Sequence, residues 1–300
     1  MKLAFVIYKL NLMKNLKLFI ELTRLDKPIG YMLLFWPCVW GLTLVYDFNS
    51  EINTYFKYLI FFLLGSILMR SAGCIVNDIA DKKFDQKVER TKNRPIASEK
   101  ISIKLALLYA LVLCFCAFLI LINFNLFTIV LALASMPFAF SYPLMKRFTY
   151  WPQLFLGITF NYGLVLAWIS INNSISLTPI MFYIGAIFWT LGYDTIYGYQ
   201  DIKDDEIIGI KSTSIKFKNN PKTFLTLCYS FLLISLILIG VLMNFNNIFY
   251  LFLIIPFCHL FFYQINFLNI NKPEDCLKIF KSNNVLGLIV CMNILVGKLF

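Results

Sequence analysis

Residues 58–85 read YLIFFLLGSILMRSAGCIVNDIADKKFD, and that stretch sets the class of the molecule. From 58 to 76 only Arg70 interrupts a run of apolar and small residues long enough to cross ~30 Å of hydrocarbon, and the run closes on Asn77, Asp78, Asp81 and Asp85. Residues in an α-helix advance about 100° each, so Arg70 and these four polar residues fall within an arc of about 100°. A second stretch, residues 179–205, PIMFYIGAIFWTLGYDTIYGYQDIKDD, ends in the same manner. On a continuous helix its Asp194, Asp201 and Asp205 lie within about 40° of one another. Carboxylates crowded on one face repel unless a cation sits among them. Hard oxygen ligands of this kind suit Mg²⁺, commonly shared with substrate phosphates.

Working outward, 60% of the 300 residues are hydrophobic, 14% are charged, and mean hydropathy is +0.74, a balance foreign to soluble domains. The expected class is all-α, a polytopic membrane protein whose helices surround a central cavity open to the cytoplasmic side. Nine spans can be read, at 28–46, 58–76, 105–122, 126–145, 151–171, 179–197, 223–243, 248–267 and 285–300, the last of them short. Pro28 and Pro179 mark helix starts, and Asn123-Phe-Asn125 and Asn244-Phe-Asn-Asn247 mark turns. No linker or low-complexity tract divides residues 1–300, so one domain is expected. The shared spacing Asn77-x-x-x-Asp81-x-x-x-Asp85 and Tyr197-x-x-x-Asp201-x-x-x-Asp205 suggests that spans one to four and five to eight are distant repeats.

The net charge of +11 follows from topology. With the N-terminus inside, all of the 27 Lys and Arg except Lys57, Lys298 and Arg70 fall on the cytoplasmic side. Attraction to the lipid bilayer is a side effect of that charge, and nucleic-acid binding is excluded as its explanation. Four spans separate the two acidic stretches, so both return to the same cytoplasmic face. Residues 1–27 read as a cytoplasmic interfacial segment, because Leu12, Leu16, Phe19 and Ile20 oppose Lys14, Lys17 and Glu21 on a helix. No signal-peptide pattern is seen there, which points to a bacterial inner membrane with a mitochondrial one as the alternative.

Eight scattered cysteines without a C-x-x-C pair indicate neither disulfides nor a zinc site, and Cys74 and Cys258 read as packing residues. The single histidine, His259, lies in the eighth span without an acid beside it, which removes His-based catalysis. No obligate protein partner is evident.

Each acidic stretch is followed by cations and hydroxyls, Arg90-Thr91-Lys92-Asn93-Arg94 after the first and Lys211-Ser212-Thr213 after the second. Phosphate oxygens take such partners once a metal has neutralised part of their charge. Solvated ion pairs at the membrane edge are the alternative. Arg70 lies two turns before Asn77, where a charge requires a cavity or a partner. With Lys146 and Arg147 beside Tyr142, and Arg24 and Asp26 at the mouth of the first span, it suits a substrate carboxylate. A permanent ion pair of Arg70 with Asp78 or Asp81 is the competing expectation.

The order RLDKPIG at 24–30, NDIADKKFD at 77–85, RTKNRP at 90–95, YPLMKRFTYWPQ at 142–153, NYG at 161–163, DTIYGYQDIKDD at 194–205 and GIKST at 209–213 resembles the UbiA superfamily of intramembrane aromatic prenyltransferases. Within it the segments are most similar to the 4-hydroxybenzoate polyprenyltransferases. The resemblance covers residues 20–215, and Gly198 departs from the small side chain expected there. It implies Mg²⁺ held by Asn77, Asp81, Asp85, Asp194, Asp201 and Asp205, with Asp78 and Asp204 beside them. It further implies Arg90, Arg94, Lys146 and Lys211 on the diphosphate of a polyprenyl donor. Arg70 and Arg147 would take the carboxylate of 4-hydroxybenzoate, and Tyr142, Tyr193 and Tyr197 would lie near the allylic cation. Asp81, Asp201, Arg70 and Arg147 are thus the expected catalytic residues. The protohaem farnesyltransferases are the rival within the superfamily, although Thr149-Tyr-Trp-Pro-Gln153 departs from their pattern. A cation transporter is the rival outside it.

Overall fold

The computed structural model describes residue 13 and residues 15–299. Among these, all regular structure is helical. Helix α1 covers 15–23 and α2 covers Ile29–Val45, followed by α3 (Ile52–Asp85), α4 (Ile103–Leu121) and α5 (Leu126–Ser141). A 3₁₀ turn at Tyr142–Arg147 leads to α6 (Pro152–Asn172) and α7 (Leu177–Gly198). A second 3₁₀ turn at Tyr199–Asp201 precedes α8 (Ile202–Ile208) and α9 (Thr213–Lys216). The chain continues through α10 (Pro221–Leu242), α11 (Asn247–Phe252), α12 (Ile254–Phe257), a π-helical segment at Cys258–Ile265, and α13 (Pro273–Leu299).

Every expected span has a helical counterpart, but among the described residues seven are long and apolar enough to cross a membrane. The two that fall short are α2, with 17 residues, and α7, which carries Thr190, Asp194 and Thr195. Helix α2 is apolar throughout and falls short in length alone, while α7 is packed inside the bundle, where hydropathy toward lipid is not required of it. The last span is a full helix of 27 residues and begins at Pro273, because Glu274 and Asp275 in its first turn complement the helix dipole. The eighth is broken: Pro256 and the π-helical segment interrupt it. The turn asparagines act as expected. Asn125 and Asn246 accept hydrogen bonds from backbone N–H groups of the helices they start, and Asn125 also ties α5 to the last carbonyls of α6.

Helices α2, α6, α7, α10 and α13 enclose the main core, built on Trp40, Trp189, Phe182, Tyr229 and Leu232. Small residues let the backbones approach: a β-carbon on Gly41 would collide with the Leu164 carbonyl of α6. Helices α3 and α4 form a flank with α1. Of the interfacial segment expected over 1–27, residues 1–12 and 14 lie outside the described residues. The described part docks rather than merely floats, since Leu22 is buried with Ile75 and Ala106, and Phe19 meets Tyr109 edge-on at 5.3 Å. Leu16 remains exposed, as an interfacial helix requires. Cys74 is buried, whereas Cys258 is exposed on the outer face of the broken span and so is no packing residue.

Candidate active site

The first acidic stretch is one face of α3. The helix runs unbroken to Asp85, so Asp78, Asp81 and Asp85 all turn inward and are buried. Asp78 accepts from Arg24 and, at 3.2 Å, from Arg94, which also reaches Asp85 at 2.8 Å. Asp81 Oδ2 lies 2.5 Å from Lys146 Nζ, while its Oδ1 is buried without a partner among the described residues. Asn77 is half-buried on the same helix.

The second stretch departs from the continuous helix expected of it. After Gly198 the chain tightens into the Tyr199–Asp201 turn, so Asp194 stays on α7 while Asp201 and Asp205 are carried at the turn and on α8. Gly198 itself has ordinary helical angles; a β-carbon there would overlap Ser214 Oγ, so its role is close packing rather than flexibility.

Arg90 joins the two stretches. It stands in the turned segment that follows α3, and its Nε donates to Asp201 Oδ1 at 2.7 Å and to Oδ2 at 3.0 Å. Its Nη1 donates to the Tyr197 hydroxyl at 2.9 Å, and the guanidinium lies 5.3 Å from that ring. Burial, and then the Asp201 charge beside it, push the Asp205 carboxyl up to about 6.

The hydroxyls read as phosphate partners are otherwise engaged. Thr91 donates to the Asp85 carbonyl at 3.0 Å, Ser212 caps α9, and Thr213 is buried 2.6 Å from Thr195 Oγ1. Gln153 accepts from the Thr213 N–H at 3.0 Å, which accounts for a glutamine beside Pro152. Lys211 Nζ donates to the Phe148 carbonyl at 3.4 Å and lies 5.7 Å from the Tyr150 ring.

Arg70 makes no ion pair with Asp78 or Asp81, because Arg24, Arg94 and Lys146 already occupy them. Its Nε is buried without a hydrogen-bond partner among the described residues, and its guanidinium lies 5.3 Å from the Phe160 ring. Gly30 keeps the neighbouring backbone clear, since a β-carbon there would come within 2.9 Å of that Nε. Arg147 is not its companion. It is exposed, donates to the Ala80 carbonyl at 2.7 Å and lies 5.5 Å from the Phe84 ring. Tyr142 is half-buried at the start of the 3₁₀ turn, and Tyr193 is buried. Arg24, which the sequence placed only at the mouth of α2, is part of this ion network. The signal was its proximity to Asp26-Lys27-Pro28, which does not name Asp78 as its partner.

Among the described residues no three His, Cys, Asp or Glu side chains are gathered as a metal cluster, since the acids are held by cations. The donor set nonetheless suits a hard divalent ion. An orphaned, buried Asp81 oxygen and a carboxyl on Asp205 pushed up by burial and by the Asp201 charge are both relieved by added positive charge.

Residues 34–286 match the model of the UbiA prenyltransferase family. The chain is 41% identical to the mitochondrial 4-hydroxybenzoate polyprenyltransferase of Homo sapiens, over 96% of this chain and 77% of that one. It is 40% identical to 4-hydroxybenzoate geranyltransferase 2 of Lithospermum erythrorhizon, over 97% and 94% respectively. Against the mitochondrial 4-hydroxybenzoate polyprenyltransferase of Dictyostelium discoideum the identity is 39% over 94% of this chain, which spans 60% of that relative's length. Solved structures share the fold, two UbiA homologs among them. The apo UbiA homolog of Aeropyrum pernix K1 superposes with TM-score 0.70 at 21% identity, covering 89% of this chain and 97% of that one. The Archaeoglobus fulgidus homolog bound to GPP and Mg²⁺ gives 0.67 at 14%, over 94% and 99%.

Proposed function

This chain belongs to the UbiA prenyltransferase family, and from that premise we propose that it transfers a polyprenyl group from a polyprenyl diphosphate to 4-hydroxybenzoate. The new bond forms at the ring carbon ortho to the hydroxyl, and diphosphate leaves. The names of relatives about 40% identical over nearly the whole chain support the substrates. One geometric observation carries the site: Arg90, from the segment after the first acidic stretch, is hydrogen-bonded to Asp201 of the second, so the two stretches flank one mouth.

Asn77, Asp81 and Asp85 on one side, with Asp194, Asp201 and Asp205 on the other, are the residues that would hold Mg²⁺. When bound, the ion neutralises diphosphate charge and eases departure of the leaving group. Arg90 exchanges Asp201, Arg94 exchanges Asp85 and Lys146 exchanges Asp81 for diphosphate oxygens, and Lys211 joins them. These cations stabilise the charge that develops as the allylic C–O bond ionises. Asp78, held by Arg24 and Arg94, keeps those arginines in place rather than ligating metal. Tyr193 and Tyr197 offer ring faces to the allylic cation. Arg70, half-buried and with a buried Nε that has no hydrogen-bond partner among the described residues, takes the acceptor carboxylate. The ring carbon attacks the cation and its proton is then lost.

The protein is read as one multi-pass catalytic domain, with this mouth on the side that retains the Lys- and Arg-rich loops. The mitochondrial names of the relatives lend the bacterial inner membrane no support.

The purified chain in lipid, given a polyprenyl diphosphate, Mg²⁺ and either 4-hydroxybenzoate or haem, is expected to form prenylated 4-hydroxybenzoate and equimolar diphosphate. Product from haem alone, or none from either acceptor, would overturn the reading.

A further inference from the structure

Between α7, α10, the π-helical segment and α13, four side chains with no solvent exposure share hydrogen bonds inside the apolar core. Trp189 Nε1 donates to Asn283 Oδ1 at 2.7 Å, and Gln264 Nε2 donates to the same oxygen at 3.1 Å. Tyr229 donates its hydroxyl to Gln264 Oε1 at 2.6 Å. The direction of these bonds is imposed from one end. An indole N–H only donates, so Asn283 presents its carbonyl to Trp189; Gln264 must then present its amide nitrogen to Asn283 and its carbonyl to Tyr229. Asn283 Nδ2 is satisfied by the Ile279 and Phe280 carbonyls, each at 3.2 Å.

Two local features exist to make the cluster possible. Residues five apart diverge by about 140° on an α-helix. The i→i+5 winding of Cys258–Ile265 instead sets Gln264 Nε2 3.3 Å from His259 Nδ1, with Gln264 turned into the core. Gly192 makes room for the Tyr229 ring, because a β-carbon there would lie 2.6 Å from its Cε1. A fully satisfied network in low dielectric fixes one arrangement of the groups that it joins.

What it fixes leads to the site. Trp189 packs against Trp40 at 4.8 Å and Tyr193 at 4.9 Å. Phe280, one turn before Asn283, meets Tyr193 at 5.8 Å and Tyr197 at 4.5 Å, and Tyr197 accepts from Arg90.

We propose that Asn283 is a positioning residue for prenyl transfer: through Trp189 and Phe280 it sets the register of the α7 face that brings Tyr193, Asp194 and Tyr197 to the reacting centre. The inference rests on the functional reading above. Its effect falls on kcat, because ring faces aligned with the developing cation act in the transition state and not in substrate binding.

The test compares wild type, Asn283→Leu, Trp189→Phe and the double variant as purified full-length protein in lipid, with rates expressed per folded enzyme. A misplacement of ~1 Å can cost ~10²-fold, so Asn283→Leu is expected to lower kcat about 10- to 100-fold with both KM values within about twofold. Trp189→Phe keeps a ring and loses one hydrogen bond, for an expected fall of about 2- to 12-fold. The double variant should be no slower than Asn283→Leu, since both changes remove the same bond. Unchanged kcat per folded enzyme, a rise confined to KM, or multiplying effects in the double variant would overturn the proposal. Should Asn283→Leu fail to fold, Trp189→Phe decides alone, an unchanged kcat being the contrary result. A wild-type chain that prenylates no 4-hydroxybenzoate removes the parent reading and this inference with it, a failure seen before any variant is compared.

Discussion

The two acidic stretches share a spacing and not a backbone. On α3 the helix continues for 34 residues, so every carboxylate of the first stretch faces inward and each meets a cation from elsewhere in the chain. At the second stretch the helix stops at Gly198, and Asp194 is parted from Asp201 and Asp205 by a 3₁₀ turn. Among the described residues, ion pairs reach Asp201 but neither Asp194 nor Asp205. Equal spacing therefore does not make equal sites. At the end of α7 Ser214 Oγ donates to the Thr195 carbonyl at 2.8 Å and packs against Gly198, and nothing comparable stands beside Gly73 on α3.

Replacing Asp81 or Asp201 with alanine sharpens the contrast most. Each variant is expected to lose turnover by ~10²–10³, because each removes an oriented charge from the mouth. They should part company in stability. Asp81→Ala strands Lys146 from a buried pair, at a cost of ~3–5 kcal/mol. Asp201→Ala breaks a pair whose arginine is 39% exposed, worth ~0–1 kcal/mol. Thermal melts in detergent check this, and equal losses would break the comparison.

Arg70, whose Nε has no partner among the described residues, also belongs to α3. Arg70→Ala is expected to raise KM for 4-hydroxybenzoate roughly 10- to 150-fold, with little change for the donor. Arg147→Ala releases the Ala80 carbonyl of α3 and should slow turnover without favouring either substrate. Titrating each substrate against both variants separates the two roles; an acceptor-selective effect in Arg147→Ala would reverse the assignment.

The glycines give the smallest effect. Gly198→Ala is expected to destabilise by ~1–3 kcal/mol through overpacking, partly relieved by adding Ser214→Ala. Gly73→Ala meets open space and should gain up to ~1 kcal/mol of helix propensity. Melting temperatures of the three proteins check this, and a neutral Gly198→Ala would detach the helix break from packing.

Much of the bundle was legible because membrane spans are long and apolar, and the face of α3 was legible because its helix does not break. The inward turn of Asp78, Asp81 and Asp85 follows from angular arithmetic alone. The break after Gly198 was not legible, and the Ser214 that takes the Thr195 carbonyl at that end lies 16 positions further along the chain than Gly198. Nor was the engagement of Thr91, Ser212 and Thr213, because a hydroxyl near a cation looks the same in sequence whether it faces ligand or backbone. Arg70's freedom from Asp78 and Asp81 required knowing that Arg24, Arg94 and Lys146 arrive first. The polar cluster around Asn283 was hidden for a related reason: its members come from four separate spans, and one residue from each carries no pattern.

The central claim is that the two unlike stretches serve one metal-assisted prenyl transfer. Its most direct test is to titrate Mg²⁺ into chelator-treated wild type, Asp81→Ala and Asp201→Ala, with a polyprenyl diphosphate and labelled 4-hydroxybenzoate, following labelled product per folded enzyme. The expected result is a product curve that requires Mg²⁺ in wild type and collapses in both variants. Metal-independent product in wild type, or a wild-type curve in either variant, would contradict the claim.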